Sequence, residues 1–390
     1  MSTAGTLPEA AETFALPDWP RNAWYAAAYD VELRNALLPR TIGGRNLILF
    51  RRRSDGRPAA LENACWHRLL PLSQGHLDGD EVVCGYHGLV FDSAGRCTHM
   101  PSQDTINPAA RVRAYPVEER HRFVWVWTGD PALADPDTIP DLHWNHDPEW
   151  TGDGKLIHAE CNYKLVVDNL MDLTHETFVH GSSLGNRTVA ESPFQVTHGP
   201  NSATVTRWML DAPPPPFWSM QLEWKHGRKF DRVDRWQIIN FEAPGTVAID
   251  VGVAPAGSGA PEGDRSEGVN GYVLNTMTPE TDRTCHYFWS FCRNYRLDQV
   301  RYTTLLREGV TGVFHEDELI LAEQQRAVED HPDKQFYNLN IDGGAMWARR
   351  LIDKMVAAES DDPRYAVAAA QADAALAAAR AGDAVVGAGA

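Results

Sequence analysis

No run of eighteen or more apolar residues occurs in the 390-residue chain, which removes a transmembrane helix from consideration. The opening MSTAGTLPEAAETFALPDWP carries neither the basic stretch nor the apolar core of a secretory signal, so a cytoplasmic protein is expected. Cysteine is scarce. The six cysteines, at positions 65, 84, 97, 161, 285 and 292, are too few and scattered for a disulfide framework, and thiols kept reduced are available for metal. Basic residues are also in deficit, 36 Lys and Arg against 53 Asp and Glu. The formal charge of -17 disfavours nucleic acid and anionic membranes by repulsion and suits a small organic substrate or a basic protein partner. No G-x-G-x-x-G follows a strand-like run, so nicotinamide chemistry would have to reside on another protein. There is no internal repeat.

What is present is 43% apolar residues, enough to build the cores of two domains. After a leader over residues 1–19, short β-rich runs follow closely: NLILFRRRSDGRPAALEN as two strands about Ser54-Asp55-Gly56, GLVFDSAGRCTHMP about Gly95, and RFVWVW. Residues 20–135 are therefore expected to form a small all-β domain. A Pro- and Asp-rich connector leads to a second domain over 136–359, where strands such as RWQIINFEAPGTVAIDVGV and CHYFWSFCRNY are joined by a helix near 168–180 and a long one from about Val300 to Glu329. The fold class is α+β, with a mainly antiparallel sheet and segregated helices, and an Ala-rich tail over 360–390.

In the first domain, ACWHRLLPLSQG and VVCGYHGLVF place Cys65, His67, Cys84 and His87 as C-x-H, sixteen intervening residues, then C-x-x-H. Each turn offers one thiolate and one imidazole. Zinc also accepts two Cys and two His, but its sites usually group like ligands on each element. The alternating order suits a [2Fe-2S] centre in which the cysteines hold one iron and the histidines the other, an arrangement that raises the reduction potential.

In the second domain, DNLMDLTHETFVH sets two acids and two histidines in an apolar stretch. On a regular helix Asp168, Asp172 and His175 share one face, a costly arrangement to bury without partners or a metal. His175 and His180 are five apart, so both reach one ion only if the helix distorts or ends between them, and Gly181 offers an end. The third ligand of a 2-His-1-carboxylate site is expected from GVTGVFHEDELILAEQQ. There Asp317 shares its spacing with Val310, Val313, Phe314, Ile320 and Leu321 and points inward, while Glu316 and Glu318 point to water.

On CWH with CGYHGL, on DNLMDLTHETFVH, and on DRWQII, TPETDRTCHYFWSFCRNYRL, REGVTGVFHEDE and LNIDGG, the chain resembles the oxygenase component of Rieske non-haem iron monooxygenases, in the vanillate O-demethylase branch. The resemblance implies a Rieske domain joined to a helix-grip catalytic domain, with mononuclear Fe(II) held by His175, His180 and Asp317. It implies a head-to-tail homotrimer, in which Asp172 bridges a cluster histidine of the neighbouring subunit to His175. It also implies a flavin/iron-sulfur reductase that delivers electrons from NADH, and O2-dependent demethylation of a methoxybenzoate to a phenol and formaldehyde. Relatives commonly carry a Gly-Ala pair where Leu69 and Leu70 stand, a departure that bears on local packing. For the substrate pocket, Asn169 and His286 are candidates, and a carboxylate partner is sought among Arg235, Arg293 and Arg296. The alternatives are a Rieske oxygenase hydroxylating a methyl group or ring of another aromatic, and a non-catalytic Rieske electron carrier with a ligand-binding domain. A zinc-stabilised interaction protein is a third. An Fe(II)/2-oxoglutarate dioxygenase orders its ligands differently.

Overall fold

The computed structural model describes residues 19–359, so the expectations for the Ala-rich tail, and for the leader apart from Trp19, lie outside the described residues. The N-terminal domain is all β. Its strands are β1 Trp24–Tyr29, β2 Leu38–Ile42, β3 Arg45–Arg51, β4 Pro58–Glu62, β5 His76–Asp78, β6 Glu81–Val83, β7 Val90–Phe91, β8 Cys97–His99, β9 Ala114–Tyr115, β10 Val117–Arg120 and β11 Phe123–Trp127. They form three small antiparallel sheets, ordered β1-β11-β10, β2-β3-β4-β9 and β5-β6-β7-β8.

The C-terminal domain is built on one seven-stranded antiparallel sheet. Its strands are β12 Thr151–Ala159, β13 Phe194–His198, β14 Ser202–Ala212, β15 Val233–Glu242, β16 Thr246–Pro255, β17 Val269–Pro279 and β18 Cys285–Arg293, in the order β12-β18-β17-β16-β15-β14-β13. Helices α1 Tyr163–Met171, α2 Arg187–Glu191, α3 Pro216–His226, α4 Val300–Asp330 and α5 Gly343–Ala358 complete it. The long helix thus falls where the 3,4 spacing of its apolar residues placed it.

Period-2 alternation explains how this sheet is used. On β18, Tyr287, Trp289 and Phe291 join the core beneath the helices, whereas Phe288 and Cys292 join a second core shared with Trp24, Phe123, Trp125 and Trp127 of the first domain. Both faces are covered, which is why all nine residues of β18 are buried. The expected segregation of helices therefore holds on one face, and the other face carries the N-terminal domain. No helix among the described residues is long and apolar enough to cross a membrane.

The stretch expected as a helix over Asp168 to His180 is not continuous. α1 stops at Met171, Asp172 is extended at φ -131° and ψ 101°, and a 3-10 turn occupies Leu173–Thr177. The Asp172 carboxylate accepts from the Thr174 amide at 2.9 Å, so the acid that breaks the helix also caps the 3-10 turn. Asp168 consequently shares no face with His175. Its carboxylate turns to α5 and accepts two contacts at 2.9 Å from Arg349 Nε, with a third at 2.5 Å from Nη2.

Candidate functional site

The two cysteine loops of the N-terminal domain repeat one main-chain device. Cys65 N–H donates to the Leu70 carbonyl and Leu69 N–H to the Cys65 carbonyl, and Cys84 N–H to Leu89 and Gly88 N–H to Cys84 match them. The loops approach closely at Gly85, where a Cβ would lie 2.4 Å from the Gln74 carbonyl oxygen. Cys65 and Cys84 are 2% exposed, while His67 and His87 stand exposed at the tip with ring centroids 4.5 Å apart. Burial, with the neighbouring Cys84 thiol adding to it and the amides of His67 and Arg68 pulling against it, pushes the Cys65 thiol up to about 11. Two buried thiols side by side ionise readily only against bound cations, as a cluster's iron provides. The donor set fits a [2Fe-2S] group with thiolates inside and imidazoles at the surface.

Leu69 takes φ 59° where the matching position of the second loop is Gly88 at φ 70°. The side chain that departs from the usual glycine thus sits in a backbone region unfavourable to it, and it is 73% exposed. Trp66 at 41% and Tyr86 at 63% flank the histidines, so the tip is an apolar collar around two imidazoles.

In the C-terminal domain His175, on the 3-10 turn, and His180, just beyond it, converge on Asp317 of α4. Asp317 Oδ1 lies 3.5 Å from His175 Nε2 and 3.1 Å from His180 Nε2, and one ligand atom from each of the three falls within 4.8 Å of the others. The opposite ring nitrogens are anchored. His175 Nδ1 donates to the Asp172 main-chain carbonyl at 2.6 Å, and His180 Nδ1 donates to Glu316 Oε2 at 2.6 Å. A carbonyl and a carboxylate are acceptors only, so both protons belong on Nδ1 and both Nε2 lone pairs face Asp317. His180 Nε2 is buried without a hydrogen-bond partner, and Asn169 Nδ2 donates to Asp317 Oδ1 at 3.2 Å. Burial works to lower the His180 pKa, but Asp317 and Glu316 outweigh it and raise it. An orphaned lone pair between a second imidazole and a carboxylate fits a mononuclear iron.

Three expectations are amended here. Asp172 reaches His175 through its carbonyl rather than its carboxylate, which is engaged in the cap and lies 3.8 Å from Arg207 Nη2. Glu316 is open to water, its side chain 43% exposed, but it also holds His180, and Ile320, expected inward, is 47% exposed. Glu316 was missed because helical spacing assigns a residue to a face and does not register a side chain reaching over its own helix to a neighbouring loop.

Beside the three residues lies a cavity that is partly open to solvent. Its wall is mainly apolar, including Leu173, Phe217, Ile249, Phe291 and Phe314, with Asn169, Glu176 and Arg235 as polar members. His286 does not reach it. Strand alternation turns that side chain to the other face of the sheet, where its Nε2 is 3.1 Å from the Thr41 carbonyl of the first domain. Arg293 does not line it either, its Nη2 donating to the Gln299 carbonyl and Thr303, and Arg296 is exposed and bonded to the Trp224 carbonyl.

An exposed Cys/His tip on an all-β domain, joined to a His/His/Asp group beside an apolar cavity under a helix-covered antiparallel sheet, defines the oxygenase component of a Rieske non-haem iron enzyme. Residues 23–116 match the Rieske [2Fe-2S] domain, and residues 159–358 match the vanillate O-demethylase oxygenase C-terminal domain. The chain is 40% identical over 343 residues to a vanillate O-demethylase oxygenase subunit of a Pseudomonas strain, covering 88% of this chain and 96% of the relative. It is 39% identical to the iron-sulfur subunit of a toluene-4-sulfonate monooxygenase system of Comamonas testosteroni, covering 87% and 98%. Crystalline dicamba monooxygenase bound to 3,6-dichlorosalicylic acid superposes with a TM-score of 0.83 at 33% identity, over 89% of this chain and 100% of that one. The chain belongs to the vanillate O-demethylase oxygenase family.

Two outcomes are expected of these centres. Leu69→Gly should raise stability by about 0.5–1 kcal/mol, the left-handed strain relieved being partly offset by the greater freedom of glycine in the unfolded chain. Denaturant titration of the iron-loaded protein measures it, and a loss of stability would mean that the leucine side chain is held by contacts. Glu316→Ala should weaken binding at the mononuclear site by about 10–100-fold while leaving the visible spectrum of the cluster unchanged. Competition of iron against a calibrated chelator reads this directly, and unchanged affinity would remove Glu316 from the site.

Proposed function

We propose that the chain is the oxygenase component of an aromatic O-demethylase that converts a vanillate-like methoxybenzoate to a phenol and formaldehyde. The balanced reaction is methoxyarene, O2, two electrons and two protons to phenol, formaldehyde and water. The observation that carries this reading is the orphaned His180 Nε2, set with His175 and Asp317 beside an apolar cavity. Cys65, Cys84, His67 and His87 would hold the [2Fe-2S] cluster, and His175, His180 and Asp317 the iron. When bound, the iron supplies O2 activation next to the substrate and the cluster supplies electrons taken from a reductase that oxidises NADH.

The chain's own residues do the positioning. The Asp172 carbonyl and Glu316 aim the two imidazoles, Asn169 holds Asp317, and the apolar wall excludes water from the reacting methyl group. A cytoplasmic setting supplies the NADH-linked partner. A head-to-tail homotrimer would seat the apolar collar of one subunit's tip against a neighbour's iron loop, where Phe178, between His175 and His180 in the chain, is 78% exposed. In that arrangement Asp172 links a cluster histidine to His175, the carboxylate on the outer side and the carbonyl on the inner. Hydroxylation of an aryl methyl group is a second reading, favoured by the almost equal likeness, 40% against 39%, to the vanillate and toluene-4-sulfonate subunits.

Anaerobically purified protein is expected to hold about three irons and two sulfides per chain and, with vanillate, NADH and a compatible reductase, to release formaldehyde. Formaldehyde from no methoxyarene, with a benzylic alcohol from an aryl-methyl substrate, would replace the first reading by the second. About two irons only would leave an electron carrier. Asp172→Asn keeps an oxygen to cap Thr174 while removing the charge. It should retain both centres but lose turnover by about 10-fold or more, and normal turnover would sever Asp172 from the electron path.

A further inference from the structure

Resting on the reading of the cavity as the substrate site, we infer that Arg235 and Trp218 receive the acidic group of the aromatic substrate, and so determine specificity for aryl carboxylates or sulfonates over neutral analogues. Arg235 lies in β15, opposite Met209 of β14 and Val253 of β16, on the sheet face that looks to the helices. It is 3% exposed and lines the cavity. Nη2 donates to Glu176 Oε2 at 2.7 Å and Nη1 to the Leu184 carbonyl at 3.1 Å, but Nε is buried with no acceptor.

Trp218 of α3 is the second half of the site. It is 2% exposed, lines the same cavity, lies 6.0 Å under the Arg235 guanidinium, and its indole Nε1 is also buried without a partner. Two orphaned donors in one wall are a costly arrangement in a folded protein, and they call for an occupant that brings acceptors. A carboxylate or sulfonate brings oxygens and no hydrogens. A neutral amide offers one uncharged acceptor and no charge to the guanidinium, so it gains less from these donors than an acid does.

Glu176 does not oppose such an occupant. Its Oε2 is taken by Arg235 and its Oε1 accepts from Gln237 Nε2 at 2.9 Å, so its charge is matched within the wall and serves to hold the guanidinium in place. The same cavity is lined by His175, His180 and Asp317, so an aromatic acid anchored at Arg235 shares one apolar chamber with them.

The test compares 3-methoxybenzoate, 3-methoxybenzenesulfonate and 3-methoxybenzamide by calorimetric titration of the anaerobic iron-loaded protein. The native protein is expected to bind at least one acid about tenfold or more tighter than the amide, as one charge-assisted hydrogen bond gives. The stronger of the two acids identifies the head group. Arg235→Gln combined with Glu176→Gln removes the pair without leaving a lone buried charge, and should abolish the preference while amide binding stays within about twofold. Trp218→Phe keeps the ring, removes one donor, and should weaken the acids by about 3–10-fold and the amide by less. This second variant stands on its own if the double variant does not fold. Equal binding of acids and amide by native protein, or parallel loss of all three ligands in Trp218→Phe, overturns the assignment. Formaldehyde release is scored separately: acid preference without formaldehyde from any ligand would end the O-demethylase reading and leave the anchor intact.

Discussion

An imidazole binds a metal with one nitrogen only if something else holds the other, and the C-terminal domain is arranged around meeting that condition twice. His175 is anchored by a carbonyl released when α1 ends, and His180 by a carboxylate that α4 extends to it. Both anchors are acceptors without protons, so they set the tautomers before any ion arrives. The broken helix is therefore a requirement of the site. Had α1 continued through Asp172, that carbonyl would have been taken up by the helix's own hydrogen-bond ladder and His175 would have projected elsewhere.

Burial on both faces gives the sheet its second role. One face packs on the N-terminal domain and carries His286 with it, and the other forms the wall of the cavity and carries Arg235, Gln237 and Phe291. A one-residue shift in register would exchange those sets, so the same alternation that builds the core also decides which polar groups meet a substrate. Charge is managed locally. Asp168 is matched by Arg349, Glu176 by Arg235 and Gln237, and Asp172 by its cap and Arg207, so the carboxylates around the three candidate iron ligands are neutralised within the domain.

The two centres differ in how they meet solvent. The cluster loops bury their cysteines and expose their histidines within a collar of Trp66, Leu69 and Tyr86, whereas His180 is 1% exposed and its ion would be reached through the protein. An electron-accepting group at a surface and a reaction site in a cavity are the dispositions that electron entry and water exclusion respectively need.

Much of this was legible in the residues alone. C-x-H followed by C-x-x-H points to a two-loop cluster site because ligand identity and spacing are local. The strands, the long helix and the inward Asp317 are set by periodicity, since a helix or strand imposes its repeat on whatever it buries. The site's other half was not legible. That the helix stops at Met171, that Glu316 reaches His180, that Asp168 turns to Arg349, and that Arg235 rather than Arg293 or His286 enters the cavity all depend on partners distant in the chain. A residue's own sequence neighbours state which face it occupies, and only the packing of one element against another decides which group is waiting on that face.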